Sequence, residues 1–139
     1  MFGLASDSKY ILDAISKSQA IIEFDLNGNI LTANENFCKA LGYRLNEIVG
    51  KHHSMFCEPA YAATPEYRAF WARLGRGEYD AGAYKRFAKG NREIWIQASY
   101  NPVSKGGKPF KVVKYATDVT VQAVSKHLKV LEDSGLVSR

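Results

Sequence analysis

Cysteine is scarce in this chain, with only Cys38 and Cys57 among 139 residues. Two are too few for a disulfide framework, and no Cys-x-x-Cys pair suggests zinc or redox work. No stretch approaches the roughly 20 apolar residues that a membrane helix needs. The N-terminus, Met1-Phe2-Gly3-Leu4-Ala5-Ser6-Asp7, has no basic segment followed by a long apolar one. No secretory signal is therefore expected, and the cytoplasm is the default compartment. Internal repeats and low-complexity segments are lacking. Gly75-x-Gly77 lacks the rest of a phosphate-loop fingerprint. No Ser/His/Asp set, paired carboxylates or metal-spaced cluster stands out, so no enzyme is expected.

What is present fits one compact domain. Hydrophobic residues make up 46% and charged residues 24%, which is enough apolar material for a core and excludes wholesale disorder. Lys+Arg 19 against Asp+Glu 14 gives a net charge of +5, which permits nucleic acid or acidic lipid as a partner without requiring either. Residues 121–139 hold Lys126, Lys129 and Arg139 against Glu132 and Asp133, so most of the excess lies before them.

The chain reads as alternating blocks. Asp7 and Ser8 suit the start of a helix to about Lys17, with Tyr10, Ile11, Ala14 and Ile15 on one face. Ala20 to Asp25 is β-rich, Asn27-Gly28 signals a hairpin, and Ile30 to Ala33 continues as a second strand. Asn34 to Gly42 predicts a short helix ended by a left-handed Gly42, and Asn46 to Val49 another turn. Lys51 to Pro65 reads as irregular. Pro65 opens a helix through Leu74 with Phe70, Trp71 and Leu74 as its apolar face. Three strands follow, Ala83–Phe87, Glu93–Tyr100 and Phe110–Ala116, separated by Lys89-Gly90-Asn91 and Gly106-Gly107-Lys108. In the middle strand Ile94, Ile96 and Ala98 alternate with Trp95, Gln97 and Ser99. The fold class is α+β.

After Asp118-Val119-Thr120 the period becomes helical, and Val121, Val124, Leu128 and Leu131 step by 3, 4 and 3. That is a short coiled-coil seam, marginal alone, which needs a partner chain or a domain surface. A homodimer is the expected arrangement. The run Val124-Ser125-Lys126-His127-Leu128-Lys129-Val130-Leu131-Glu132 also resembles the recognition helix of winged-helix repressors of the arsenic-sensor type. There Ser125, Lys126, His127 and Lys129 would face DNA. One helix without its supports is not a stable DNA-reading unit, so DNA is not the expected partner of this chain alone.

The larger resemblance lies upstream. Asp25-Leu26-Asn27-Gly28-Asn29-Ile30, Ala33-Asn34-Glu35-Asn36-Phe37, Leu41-Gly42-Tyr43 and Glu47-Ile48-Val49-Gly50-Lys51-His52-His53 form one set of matching stretches. Phe70-Trp71-Ala72-Arg73-Leu74, Trp95 to Pro102 and Tyr115 to Thr120 complete it. Together they resemble a PAS sensor domain of the kind attached to bacterial methyl-accepting chemotaxis proteins, including aerotaxis-type receptors. The resemblance implies a five-stranded antiparallel sheet with helices over one face. It divides the chain into a flanking helix over residues 1–17, a PAS domain over 18–120 and a signalling or dimerisation helix over 121–139. Asp118 and Thr120 would form the junction that passes a signal to an attached output domain. The alternative is a DNA-binding regulator, natural or chimeric, whose tail belongs to a winged helix.

Candidate ligand positions follow from the same resemblance. Asn34, His52, His53, Phe56, Trp71 and Trp95 are expected to contact a small ligand or cofactor, with Phe70, Tyr84 and Tyr100 as further aromatic candidates. His53 is the candidate metal ligand, an axial haem histidine. Flavin adenine dinucleotide is the other inherited possibility, since Asn34, His53 and Trp71 resemble positions of the aerotaxis receptors, and a packed interior with no cofactor is the third. The chain departs from them at Glu78-Tyr79-Asp80, where they have a Trp, and at Cys57-Glu58, where they have basic residues. Asn36 is expected to cap the helix that begins beside it.

Overall fold

A computed structural model describes residues 2–118 of the chain, and its side chains from residue 7 to residue 117. Thr120, Val121, Val124, Leu128 and Leu131 lie outside the described residues, as does the segment that resembles a recognition helix. The elements run α1 (Phe2–Ser18), β1 (Ala20–Phe24), β2 (Ile30–Ala33), α2 (Glu35–Leu41) and α3 (Leu45–Ile48). A 3₁₀ turn (His53–Phe56), α4 (Pro59–Ala62) and α5 (Pro65–Gly75) follow. The chain then forms β3 (Asp80–Ala88), β4 (Arg92–Lys105) and β5 (Lys108–Asp118). The five strands make one antiparallel sheet in the order β2-β1-β5-β4-β3.

Local chemistry explains each boundary. At the β1–β2 turn the Asp25 carboxylate accepts from the backbone N–H groups of Asn27 and Asn29, both at 2.9 Å. Gly28 supplies the φ of +88° that closes the turn. Gly42 ends α2 in the left-handed region at φ +78°. Thr64 accepts from the Tyr67 N–H and Pro65 fills the first turn of α5, where its missing N–H costs nothing. Asn91, at φ 62°, makes the β3–β4 turn with Gly90.

The observed elements differ from the expected ones in extent. The first helix begins at Phe2 rather than at Asp7. The region after Lys51 is not irregular: His52 caps the 3₁₀ turn, accepting from Ser54 N–H, and Pro59 opens α4. The last three strands are longer than the apolar alternation suggested, because ladder pairing continues into polar ends such as Ser104 and Lys105.

Strand alternation sorts the sheet into two faces. Ile22, Phe24, Tyr84, Ile96, Ala98, Tyr100, Val112 and Ala116 point inward and are buried with Phe37, Ile48, Phe56, Phe70 and Leu74 from the helical layer. Ile21, Glu23, Trp95, Ser99, Asn101, Val113 and Tyr115 alternate with them on the outer face. Asn34 ties the first helix to this body. Its Oδ1 accepts from Phe37 N–H at 2.9 Å, capping α2, and from Ile21 N–H at 3.0 Å. Its Nδ2 donates to the Ser16 and Gln19 carbonyls at 3.0 and 2.8 Å. Asn36 donates to the Ser16 and Lys17 carbonyls. The cap is thus Asn34, and Asn36 is a clasp on the end of α1, the reverse of the expected assignment for Asn36. The cause is geometric: only the residue just before the first helical turn has the extended backbone (φ −86°, ψ 173°) that turns its side chain onto the free N–H groups.

Candidate functional site

The two adjacent histidines take separate places. The short turn that carries them is laced to the β1–β2 hairpin: His53 N–H donates to Gly28 O at 2.8 Å, and Ile30 N–H donates to Lys51 O at 2.8 Å. A Cβ on Gly28 would lie 2.8 Å from His52 Nε2 and 3.0 Å from the Trp71 ring, so a side chain there is excluded. His52 Nε2 is 2.8 Å from Asn27 O, a pure acceptor, so that nitrogen carries the proton. Its Nδ1 accepts from Ser54 N–H. His52 therefore acts as a bracket between loop and turn, and it lines an outer groove of about 630 Å³ with Asn27, Tyr67 and Trp71.

His53 is wholly buried. Its Nδ1 lies 2.7 Å from the Tyr67 hydroxyl and its Nε2 lies 2.9 Å from the Tyr100 hydroxyl. Hydroxyls both donate and accept, so the neutral imidazole is satisfied on both sides. The rings of Phe24 and Trp71 meet it edge-on, each at 5.3 Å between centroids. Cys57 Sγ stands 3.6 Å from Nδ1. Burial, then the nearby Arg86 and Lys114, hold His53 well below the ordinary imidazole range. Burial pushes the Tyr100 hydroxyl up to about 12, opposed by Arg86.

Two basic side chains complete the inner cluster, and neither was anticipated. Arg86 on β3 and Lys114 on β5 point into the core, each 1% exposed. Arg86 donates to Tyr100 Oη at 3.2 Å and to Lys85 O at 2.9 Å, with its guanidinium 5.0 Å from the Tyr84 ring centre. Lys114 Nζ sits 4.8 Å from the Tyr100 ring centre. Burial, then Arg86, keeps the Lys114 amine well below its usual range. No ion pair among the described residues includes either side chain. The signal was in the strand parity. Arg86 alternates with Tyr84 and Ala88, and Lys114 with Val112 and Ala116, so both occupy core positions.

The structure therefore brings together His52, His53, Phe56 and Trp71. Phe56 packs edge-on against Phe37 at 5.5 Å and faces His53 at 6.2 Å. Phe70, Tyr84 and Tyr100 join the same body, Phe70 and Tyr100 meeting at 4.9 Å. Asn34 and Trp95 stand apart. Asn34 is committed to the α1, β1 and α2 junction and lines the groove beneath α1. Trp95 belongs to the outer face, because it alternates with the buried Ile96. Neither joins the His53 cluster. Asp118 ends β5, its backbone paired with Ile96.

His53 offers no free nitrogen to a haem iron: ligation there must displace the Tyr67 or Tyr100 hydroxyl. Among the described residues no group of three or more His, Cys, Asp or Glu could hold a metal ion. The inner cluster instead has unused donors. Among the described residues, Trp71 Nε1 and Arg86 Nε are buried without hydrogen-bond partners. Such a donor set fits an acceptor-rich group, as the flavin ring is, better than it fits iron.

A single antiparallel sheet in the order 2-1-5-4-3, with a helical layer over a polar-centred core, is the architecture of a PAS sensor fold. The chain belongs to the PAS family, whose fold model matches residues 30–116. It is a PAS sensory domain similar to parts of two bacterial proteins. It is 49% identical to the biofilm dispersion protein BdlA of Pseudomonas aeruginosa over 78% of this chain and 26% of that protein. It is 30% identical to the aerotaxis receptor of Escherichia coli over 77% of this chain and 22% of that receptor. The chain thus spans about a quarter of these relatives. Among solved structures, a light-oxygen-voltage domain studied with a flavin analogue shares the fold with TM-score 0.71 and 20% identity, over 94% of this chain and 98% of that one. A PAS domain from Colwellia psychrerythraea gives TM-score 0.68 at 17% identity, over 81% of this chain and 97% of that one. The family match ends at residue 116, before the segment with repressor-like wording. No helix among the described residues is long and apolar enough to cross a membrane.

Proposed function

We propose that the chain is the cytoplasmic sensory module of a chemotaxis-type signalling protein. In this reading a small ligand or cofactor is held between the helical layer and the inner sheet face, against His53, Trp71 and Tyr100. A change there is passed through β5 and the flanking segments to an attached output domain, with residues 121–131 pairing two copies. The module senses and does not catalyse. The observation that carries this reading is the wholly buried imidazole bonded to two tyrosine hydroxyls, beside the buried Arg86 and Lys114. A packed apolar core has no use for such a group, since burying polar atoms is costly unless they are satisfied.

The polar centre gives the sheet a way to respond. His53 sits on a short turn, Tyr67 on α5 and Tyr100 on β4, so one hydrogen-bonded chain links the helical layer to the strand beside β5. A ligand that takes a hydrogen bond from this chain forces its members to re-pair, and the strand must follow. If flavin is held, Trp71 and Arg86 would donate to its ring acceptors, and the ring would supply redox sensitivity.

The absorption spectrum of the purified chain tests the cofactor. Twin bands at roughly 370 and 450 nm identify flavin and a Soret band at roughly 400 nm identifies haem, as these are properties of the cofactors themselves. A haem band abolished by Tyr67→Phe but not by His53→Ala would overturn the roles given to His53. The mass in solution, with and without residues 121–139, tests the pairing, and a monomer in both cases ends the dimer reading.

A further inference from the structure

We propose that Arg86 and Lys114 form an anion-binding end of the interior site, and that its occupant presents a carboxylate or phosphate oxygen to them. This rests on the reading that the interior holds a ligand, and it names that ligand's class. The argument starts from charge. A guanidinium does not give up its proton in proteins, so Arg86 carries its charge into the core, where it is 1% exposed. A buried charge without an opposite partner is strongly unfavourable. The partners Arg86 does have are neutral: Lys85 O and Tyr100 Oη.

Among the described residues the surroundings supply no counter-charge. Tyr84, Tyr100, Tyr61 and Cys57 are the groups around the guanidinium, and burial holds all four in their neutral, protonated forms. Asp80 gives its carboxylate to the Tyr84 hydroxyl and forms no ion pair with Arg86 or Lys114. Lys114 adds a second amine on the other side of Tyr100. The unsatisfied atoms are donors as well, Arg86 Nε and Trp71 Nε1. A cluster of Arg, Lys and indole N–H with no acid answers to an anionic oxygen, which accepts several N–H bonds at once and neutralises the guanidinium.

Each alternative role for Arg86 fails. A structural arginine would be expected to reach a carboxylate, as Lys85 does with Glu58 and Glu93, each at 3.7 Å. A snorkelling arginine would place its head in water, and this one does not. An anion is the group that completes the site.

Thermal unfolding of the full chain, at fixed ionic strength, tests the proposal with four probes: inorganic phosphate, succinate, flavin mononucleotide and uncharged riboflavin. The expected result is a concentration-dependent rise in midpoint with at least one anion. Phosphate or flavin mononucleotide alone points to a phosphate, and succinate alone to a carboxylate. Arg86→Gln should weaken the apparent affinity by about tenfold or more, and Arg86→Lys should restore part of it. Lys114→Met, which keeps the volume of the stem, gives the same readout should Arg86→Gln not fold. Equal shifts with riboflavin and flavin mononucleotide, unchanged in both variants, would overturn the anion and leave a ligand-binding interior standing. No shift with any anion overturns the proposal, while the absorption spectrum judges the ligand reading separately.

Discussion

The two faces of the sheet treat basic side chains in opposite ways. On the outer face Lys111 of β5 meets the Glu23 carboxylate of β1 at 2.5 Å, and both are partly open to water. Three residues on, Lys114 of the same strand points inward and is 1% exposed, with no acid beside it among the described residues. β3 repeats the contrast: Lys85 lies near Glu58 and Glu93, while its neighbour Arg86 is buried beside tyrosines. The outer charges form the ordinary pairs of a solvated surface, worth little to stability. The inner basic groups oppose folding and persist, which marks the inner face as the one kept for a task other than stability.

Substitutions can break this contrast, and the largest effects belong inside. Trp71→Ala removes a ring packed against Phe24, His53 and Phe70, and should cost about 3–5 kcal/mol in urea unfolding. Trp95→Ala on the outer face should cost well under half as much. Equal losses would mean that the two faces do not differ in packing.

A second test uses pH. His53 and Lys114 both have folded-state values held well below those of the unfolded chain, so the unfolded chain binds more protons. Stability therefore rises with pH. For His53 the gain falls below about pH 6.5, and for Lys114 it extends up to about pH 10.5, the unfolded values. Each full proton contributes about 1.4 kcal/mol per pH unit. Between pH 7 and 9 the unfolding free energy should climb, and Lys114→Met should flatten that climb. Lys111→Met should leave it alone. A slope unchanged in Lys114→Met would show that the amine is charged in the fold.

Asn34→Ala comes next, with an expected loss of about 1–2 kcal/mol from the α2 cap, accompanied by faster amide exchange at the end of α1. The smallest effect is reserved for Lys111→Met, under about 1 kcal/mol and reduced further by salt.

The fold was legible where single residues have few conformational options. Asn27-Gly28, Gly42 and Pro65 marked their turns and helix ends, and the β4 alternation of Ile94, Ile96 and Ala98 against Trp95 and Gln97 sorted the faces. The site was half legible. His52-His53 and Trp71 stood out by residue type. Arg86 and Lys114 did not, because a basic residue reads as surface unless its strand parity is followed through. Trp95 failed in the opposite sense: aromatic type suggested the pocket while its parity placed it outside. Asn34 took the cap expected of Asn36, because a cap depends on backbone angles that residue type leaves open.

The pairing of Ala20 with Ala116 has one more consequence. The chain enters the sheet on β1 and leaves it on β5, and those strands are neighbours running in opposite directions. The start of β1 and the end of β5 thus lie side by side, like two contacts on one terminal block. A uniform shift of the whole domain moves both contacts together and carries no message. A distortion that slides β5 against β1 separates them. Under the sensory role proposed above, a module wired in this way would reject common motion and report only the difference.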